Sequence, residues 1–265
     1  MKAFYSLALV GMLLCVPAAT ASAHFGMVIP SAPTVMEMSE AEIAVDIKFW
    51  HPFENSGMNM EKPKKFQVFS GGKSTDLLAG LKEEKLRDLK KWAINYKISG
   101  PGLYVFTMEP EPYWEPEEDK FIVHYTKAYV SAFGDDEGWN EPVGLKTEIV
   151  PLTNPATLYA CGLFTGRVML DGKPVPHSEV EVEWYPGEDK QGQAPHEAMI
   201  TLSLVADENG VFSFAAPESG WWGFAALNDA DYKLKQDGQD KDVELGGVIW
   251  VYFHEMKAAV PYSGE

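Results

Sequence analysis

The stretch "GRVMLDGKPVPHSEVEVEWY" (residues 166–185) decides the fold class. It contains an apolar strand, an Asp-Gly turn and a second strand in which Val180 and Val182 alternate with charged residues. The same plan returns in "ADENGVFSFAAPESGWWGFAAL" (206–227), where Asn-Gly makes the turn. Alternation with period two around such turns is typical of antiparallel hairpins. These residues predict β-sheet in the C-terminal half.

The N-terminal half has the same texture. Short alternating runs bounded by Gly, Pro or charged residues are "EIAVDIKFW" (42–50), "KFQVFS" (65–70), "WAINYKI" (92–98), "LYVFTME" (103–109) and "FIVHYTKAYV" (121–130). We therefore predict an all-β protein with two β-sandwich domains of Ig-like or transthyretin-like type. The one helical candidate is "LKEEKLRDLKK" (81–91), which is short and highly charged.

The pattern also predicts the organisation of the chain. A segment rich in Gly, Pro and acidic residues between the two runs of strands reads as a connection. We expect a signal peptide (1–23), a metal-binding N-terminal sandwich (24–133), a linker (134–157), a C-terminal sandwich (158–254) and a short tail (255–265).

The first 23 residues have the features of a cleaved export signal. Lys2 gives a positive start, residues 4–16 are apolar, and Ala21-Ser22-Ala23 is a small-x-small cleavage site. The apolar run is too short for a membrane anchor. We therefore expect a periplasmic protein without a direct membrane anchor, whose mature chain begins at His24.

Composition restricts the classes of partner. The net charge of −17 at pH 7 argues against nucleic acid or anionic lipid, which need basic patches, and suits the attraction of cations. After cleavage only Cys161 remains, so an internal disulfide is excluded. The common enzyme motifs HExxH, CxxC and GxSxG are missing from the sequence, so we expect a protein that is not an enzyme.

Three histidines carry the chemistry. Cleavage would leave His24 with a free α-amine beside its imidazole, a pair that can chelate a metal ion. His51 lies at the end of a predicted strand, and His124 lies within one, on the same side as Ile122 and Thr126. Nickel, copper and zinc favour imidazole ligands. We predict that His24, His51 and His124 bind one divalent metal ion.

Other polar and aromatic groups receive structural interpretations. His177 and His196 lie in predicted turns and are expected to be exposed loop residues. The acidic segment 109–119 is expected to be a solvated, rigid loop, with Tyr113 and Trp114 packing on the sandwich edge or screening the metal site. The run "GWWGF" (220–224) is expected to serve domain packing and not to form a ligand platform.

At this point five motifs carry a family resemblance. They are "AHFGMVIPS" (23–31), "HPFENSGMNMEKP" (51–63), "PYWEPEEDKFIVHYTK" (112–127), "AFGDDEGWNEPVGLKTEIVPLTNP" (132–155) and "SGWWGFAALNDADYK" (219–233). In this order they resemble the NikK-type periplasmic accessory proteins of nickel/cobalt uptake. The resemblance implies an exported two-domain β protein that works with the membrane subunits of an energy-coupling-factor type transporter. Residues 160–228 also resemble carboxypeptidase-regulatory or transthyretin-like domains.

The cargo implied is Ni²⁺, with Co²⁺ or Cu²⁺ as alternatives. A histidine brace, an N-terminal amine plus two imidazoles, also holds copper in carriers and in oxidative polysaccharide-cleaving enzymes. Copper binds nitrogen sites more tightly than nickel. A second alternative is a metal-free carbohydrate-binding or adhesive sandwich that uses tryptophan-rich surfaces. That alternative leaves the position of His24 unexplained.

Overall fold

The computed structural model describes residues 24–257, so the signal peptide and the end of the tail lie outside the described residues. Within that range strands dominate, with short 3-10 helices at Met38–Glu40, Leu78–Gly80, Pro155–Thr157 and Glu197–Met199. The strands are β1 (Phe25–Pro30), β2 (Thr34–Val35), β3 (Glu42–His51), β4 (Ser56–Met58), β5 (Lys65–Ser70), β6 (Lys73–Asp76), β7 (Lys82–Leu86), β8 (Leu89–Lys97), β9 (Gly102–Glu109), β10 (Tyr113–Glu115), β11 (Lys120–Ala132), β12 (Thr147–Pro151), β13 (Leu163–Leu170), β14 (Lys173–Pro174), β15 (Glu179–Tyr185), β16 (Leu202–Val205), β17 (Val211–Ala215), β18 (Gly220–Asp229), β19 (Leu234–Gln236) and β20 (Gln239–Phe253).

The strands form three sheets. The first has the order β1-β3-β8-β7, with β4 paired to β3. The large sheet has the order β16-β15-β18-β20-β11-β9-β5-β6, with β10 and β2 on β11 and β19 on β20. The third has the order β12-β13-β14, with β17 on β13. The prediction of an all-β sandwich fold is confirmed.

The large sheet is the middle layer of the molecule. On β20, Val248 and Trp250 pack into the core shared with the first sheet, whereas Ile249 and Val251 pack into the core shared with the third. All four side chains are at most 1% exposed. Strand residues alternate between the two faces of a sheet, so the near-continuous apolar run of β20 is explained by two cores.

Strands from the two halves of the chain pair directly in this layer. β11 and β20 run parallel, from Lys120 opposite Asp242 to Ala128 opposite Trp250. β12 lies inside the range predicted as a linker and pairs with β13. The domain boundaries themselves stay a prediction, while the two sandwiches share one sheet.

The helix predicted for residues 81–91 is wrong. These residues form the hairpin of β7 and β8, with Leu86 opposite Leu89. Arg87 and Asp88 both have positive φ, 51° and 66°, as a two-residue hairpin turn requires. β7 pairs only with β8 in its sheet, and its lysines and glutamates are the charges that protect an exposed edge. Edge protection explains the charge pattern that indicated a helix.

Candidate metal centre

His24 immediately precedes β1 and contacts a buried carboxylate. Its Nε2 is 3.2 Å from Oε2 of Glu115, which is 5% exposed and ends β10. A carboxylate only accepts hydrogen bonds, so Nε2 carries the proton and Nδ1 keeps its lone pair. Nδ1 is buried and has no hydrogen-bond partner among the described residues. The nitrogen that would form a chelate ring with the α-amine is therefore the one left unused.

His51 stands directly beside His24. Its ring centroid is 4.3 Å from that of His24. Strand pairing explains this, because β1 and β3 are antiparallel with Phe25 opposite Trp50, which places the next residues, 24 and 51, side by side. β3 ends at His51 as the sequence predicted.

His124 lies next to this pair but one of its nitrogens is occupied. The N–H of Gly26 donates to Nδ1 of His124 at 3.2 Å. The proton of the neutral ring is then on Nε2, which is buried, lacks a hydrogen-bond partner and is 3.8 Å from Oε1 of Glu244. Thr126 donates to the Gly26 carbonyl, so His124 and Thr126 share one face as predicted.

Gly26 allows β1 to approach β11 this closely. A Cβ at this position would lie 2.6 Å from Oγ1 of Thr126 and 2.9 Å from Cβ of His124. Both distances are shorter than side chains tolerate. A glycine is therefore needed for this close approach of β1 to β11.

The described residues 24–257 contain no three His, Cys, Asp or Glu side chains set to hold a metal ion as they stand. They contain four buried side-chain atoms without a hydrogen-bond partner: His24 Nδ1, His124 Nε2, Tyr129 Oη and Arg167 Nε. Two of these belong to predicted ligands. Buried polar groups are normally satisfied, so unpaired nitrogens mark this place as unusual.

The surroundings of His24 favour its neutral form. Burial, and then the repulsion that His51 and His124 would exert in their protonated forms, lower the pKa of His24 to about 3. Burial alone would raise the pKa of Glu244, but His124 and Lys120 outweigh it and lower that pKa to about 2. His24 therefore stays neutral, and Glu244 stays ionised, across the physiological range.

An acidic pocket of about 350 Å³ adjoins His24 and His124. Glu181 lines it, and burial followed by the charges of Glu244 and Glu179 raises the pKa of Glu181 to about 7. Burial, the larger cause, disfavours the charged form, and the neighbouring carboxylates add to it. A cation among these carboxylates would offset their mutual repulsion.

Glu115 was not predicted as a residue of the site. It belongs to the segment predicted as a solvated loop, and the structure places its carboxylate inside, against His24. The expectation for its neighbours fits better, because the Tyr113 ring lies 6.0 Å from His24 and Trp114 packs 5.0 Å from Phe121. Glu115 lies two residues after Tyr113 on β10, so the two side chains share the face that is turned towards His24. β10 is held there by β11, on which Lys120 pairs with Glu115.

The remaining histidines lie elsewhere. His177 and His196 are exposed, as predicted. His254 forms a bridge with Tyr159 at the end of β20. Trp221 and Trp222 of "GWWGF" are 8% and 4% exposed. Trp221 packs into the core that the large sheet shares with the first sheet, and Trp222 into the core that it shares with the third. Packing, as predicted, is their role.

Residues 21–230 match a family described as a domain of unknown function, DUF4198. The chain belongs to the DUF4198 family. The match contains His24, His51, Glu115 and His124 and ends after β18. Among curated protein sequences, none matches this DUF4198 chain.

Solved structures of low similarity are sandwich proteins. The D0-D1 domain of Intimin is 14% identical over 88% of this chain and 100% of its own, with a TM-score of 0.26. The fibronectin(III)-like modules of Clostridium thermocellum CbhA are 9% identical over 90% of this chain and 100% of their own, with a TM-score of 0.22. A structure described as a candidate carbohydrate binding protein from Bacteroides uniformis is 10% identical over 83% of this chain and 96% of its own, with a TM-score of 0.22. At these TM-scores the likenesses carry no argument.

No helix among residues 24–257 has the length and apolarity to cross a membrane.

Proposed function

We propose that this DUF4198 protein is exported to the periplasm, binds nickel, and delivers it to the membrane subunits of a nickel or cobalt uptake transporter. It catalyses no reaction. One observation carries the proposal: Nδ1 of His24 is buried and unpaired, beside His51 and with Nε2 facing Glu115.

The contact with Glu115 is the arrangement that supports metal-binding histidines. A carboxylate that accepts from one imidazole nitrogen fixes the tautomer and orients the other nitrogen towards the ion. Leaving a buried acceptor unpaired costs about 1–3 kcal/mol, a cost that a ligand removes. With cleavage after Ala23, the α-amine and Nδ1 of His24 would form a chelate that His51 extends.

His124 is proposed as the third histidine of the site. Because its Nδ1 accepts from Gly26, its Nε2 must lose a proton, or β1 must shift, before it can bind the ion. We therefore expect His24 and His51 to supply most of the affinity. His124 also holds β1 in place through the same hydrogen bond.

Sequence motifs that resemble NikK-type proteins support the identity of the cargo. Three of them, 23–31, 51–63 and 112–127, contribute His24, His51, and the pair Glu115 and His124, respectively. These separate motifs meet at one place in the fold. Cobalt follows nickel as a cargo of such sites because both accept nitrogen ligands.

Copper is the second candidate. The site would offer three nitrogens: the α-amine and Nδ1 of one residue, and a second imidazole nearby. Copper binds such a set more tightly than nickel.

The carbohydrate-binding alternative loses support, because Trp221 and Trp222 are buried.

Elemental analysis of the protein purified from its native periplasm tests the proposal. We expect close to one nickel ion per chain and, by mass spectrometry, a mature N-terminus at His24. Copper in place of nickel would assign the copper function. A metal-free protein, or a chain that starts at Phe25, would contradict the site.

A further inference from the structure

The acidic pocket beside the histidines has a strong imbalance of charge. Its charged lining consists of five carboxyl groups and one ammonium, apart from the two histidines: Glu118, Glu179, Glu181, Asp229, Glu244 and Lys120. Lys120 is bound to Glu118 and Glu244, at 2.6 Å each. Glu179, Glu181 and Asp229 therefore have no lysine or arginine within salt-bridge distance among the described residues.

Strand register places these groups on one face of the large sheet. His124, Gly246, Leu227 and Glu179 are successive partners across β11, β20, β18 and β15. Glu181 lies two residues along β15, and Glu244 two residues along β20. Residues two apart share a face, so the carboxylates and the His124 ring belong to the same surface.

His124 points into this pocket. A Cβ on Gly246 would lie 2.2 Å from Cδ2 and 2.6 Å from Nε2 of His124, so the ring lies across β20 over the glycine. The side chain is 3% exposed, and its Nε2 has no hydrogen-bond partner among the described residues, with Oε1 of Glu244 3.8 Å away. Since Nδ1 accepts from Gly26, Nε2–H is a donor on the side of the ring that faces the pocket.

We propose that the pocket receives the metal as a free, hydrated divalent cation, and that its carboxylates discriminate against anionic metal complexes. This inference rests on the proposed function and specifies the form of its cargo. The carboxylates accept hydrogen bonds from the waters of the ion, and Nε2–H of His124 faces Glu244, one of these carboxylates. His24 and His51 then replace these waters.

The size of the pocket fits this occupant. A water needs about 10–15 Å³ of such a cavity, so six waters need roughly 60–90 Å³, within the 350 Å³ present. Contact through water also agrees with the side chains, because no three of the described ones converge for direct ligation. An anionic chelate would meet five carboxyl groups and be repelled.

The inference predicts rates of metal uptake. Concentrating a cation in an acidic cleft raises association rates by about 10- to 1,000-fold, and salt screens this effect. Loss of a direct ligand would instead accelerate dissociation at every salt concentration. The two roles can therefore be separated kinetically.

The test is stopped-flow mixing of the mature protein with nickel chloride, at low and high ionic strength. We expect Glu179→Gln with Glu181→Gln to slow association about tenfold at low salt and much less at high salt. The control changes the same charge at two exposed residues, Glu40 at the end of a 3-10 helix and Glu42 at the start of β3, about 30 Å from the end of that strand at His51. It should leave the rate within about twofold.

Uptake from an excess of citrate, which holds nickel as an anion, gives the second arm. The wild-type protein should take nickel up far more slowly from citrate than from chloride. For the double variant, the ratio of these two uptake rates should be closer to one. Equal rates for the wild type and the double variant at low salt, with tight equilibrium binding retained, would overturn the inference but leave the proposed function. No binding of nickel by the wild type at equilibrium would overturn both.

Discussion

Two places on the large sheet bury polar side chains in opposite ways. At one, Lys127 is fully buried and its ammonium lies 2.6 Å from Glu148, whose carboxylate also accepts from the N–H groups of Val143 and Gly144. At the other, three residues along β11, His124 and the adjacent His24 keep buried nitrogens without hydrogen-bond partners among the described residues. Removing one member of the satisfied pair would destabilise the fold, whereas unsatisfied nitrogens are available to a ligand. The contrast separates the structural from the functional use of burial.

The largest expected effect breaks the satisfied pair. Lys127→Met leaves the carboxylate of Glu148 buried without its counter-ion and should lower the free energy of unfolding by about 3–5 kcal/mol. Urea denaturation measures this change. Adding Glu148→Gln should recover part of the loss, and nickel affinity of the folded variant should stay within about twofold. A loss under 1 kcal/mol would remove the structural half of the comparison.

The next effect concerns the unsatisfied region. His51→Ala removes the imidazole beside His24 and should weaken nickel binding at least about tenfold, about 1.4 kcal/mol. Calorimetric titration of the mature protein gives the affinity. His177→Ala and His196→Ala, both at exposed positions, are matched controls that should have no effect. Equal affinity for His51→Ala and the controls would exclude His51 as a ligand.

A smaller effect is expected at His124. Because its Nδ1 is engaged by Gly26, His124→Ala should weaken nickel binding about threefold, roughly 0.7 kcal/mol. The same titration measures it. A loss as large as that of His51→Ala would show that His124 binds the ion directly and that β1 shifts to allow it.

An effect of a different kind is a dependence of stability on pH. The pKa of His24 falls from about 6.5 in the unfolded chain to about 3 in the folded one. The unfolded chain therefore binds more protons between these values, and stability is lost as pH falls from about 6.5 to about 3. Relative to His24→Gln, the metal-free mature protein should become less stable over this window. Parallel stability curves for the two proteins would contradict the burial of His24.

Local sequence patterns predicted most of the strands but not how distant strands meet. The turn at Asp171 and Gly172, with φ of 49° and 72°, lies where the Asp-Gly pair indicated it. The hairpin at Arg87 and Asp88 was mistaken for a helix, because charges on an edge strand imitate a solvated helix face. Glu115 was overlooked because nothing local shows that β10 turns back onto β11.

The site itself was only partly predictable. The residue types of His24, His51 and His124 indicated metal chemistry, and the structure brings the first two rings together. That meeting depends on the register of β1 with β3, and the acidic pocket depends on the parallel pairing of β11 with β20. Such pairings join residues far apart in the chain. The occupied Nδ1 of His124 follows from the same tertiary contacts.

Nickel titration of the mature chain beside a variant with one glycine added ahead of His24 tests the central claim most directly. The extension keeps every imidazole and moves only the α-amine away from Nδ1 of His24. We predict at least about tenfold weaker binding for the extended chain, roughly 1.4 kcal/mol. Equal affinity of the two chains would show that the unpaired Nδ1 of His24 does not form a chelate with the amine.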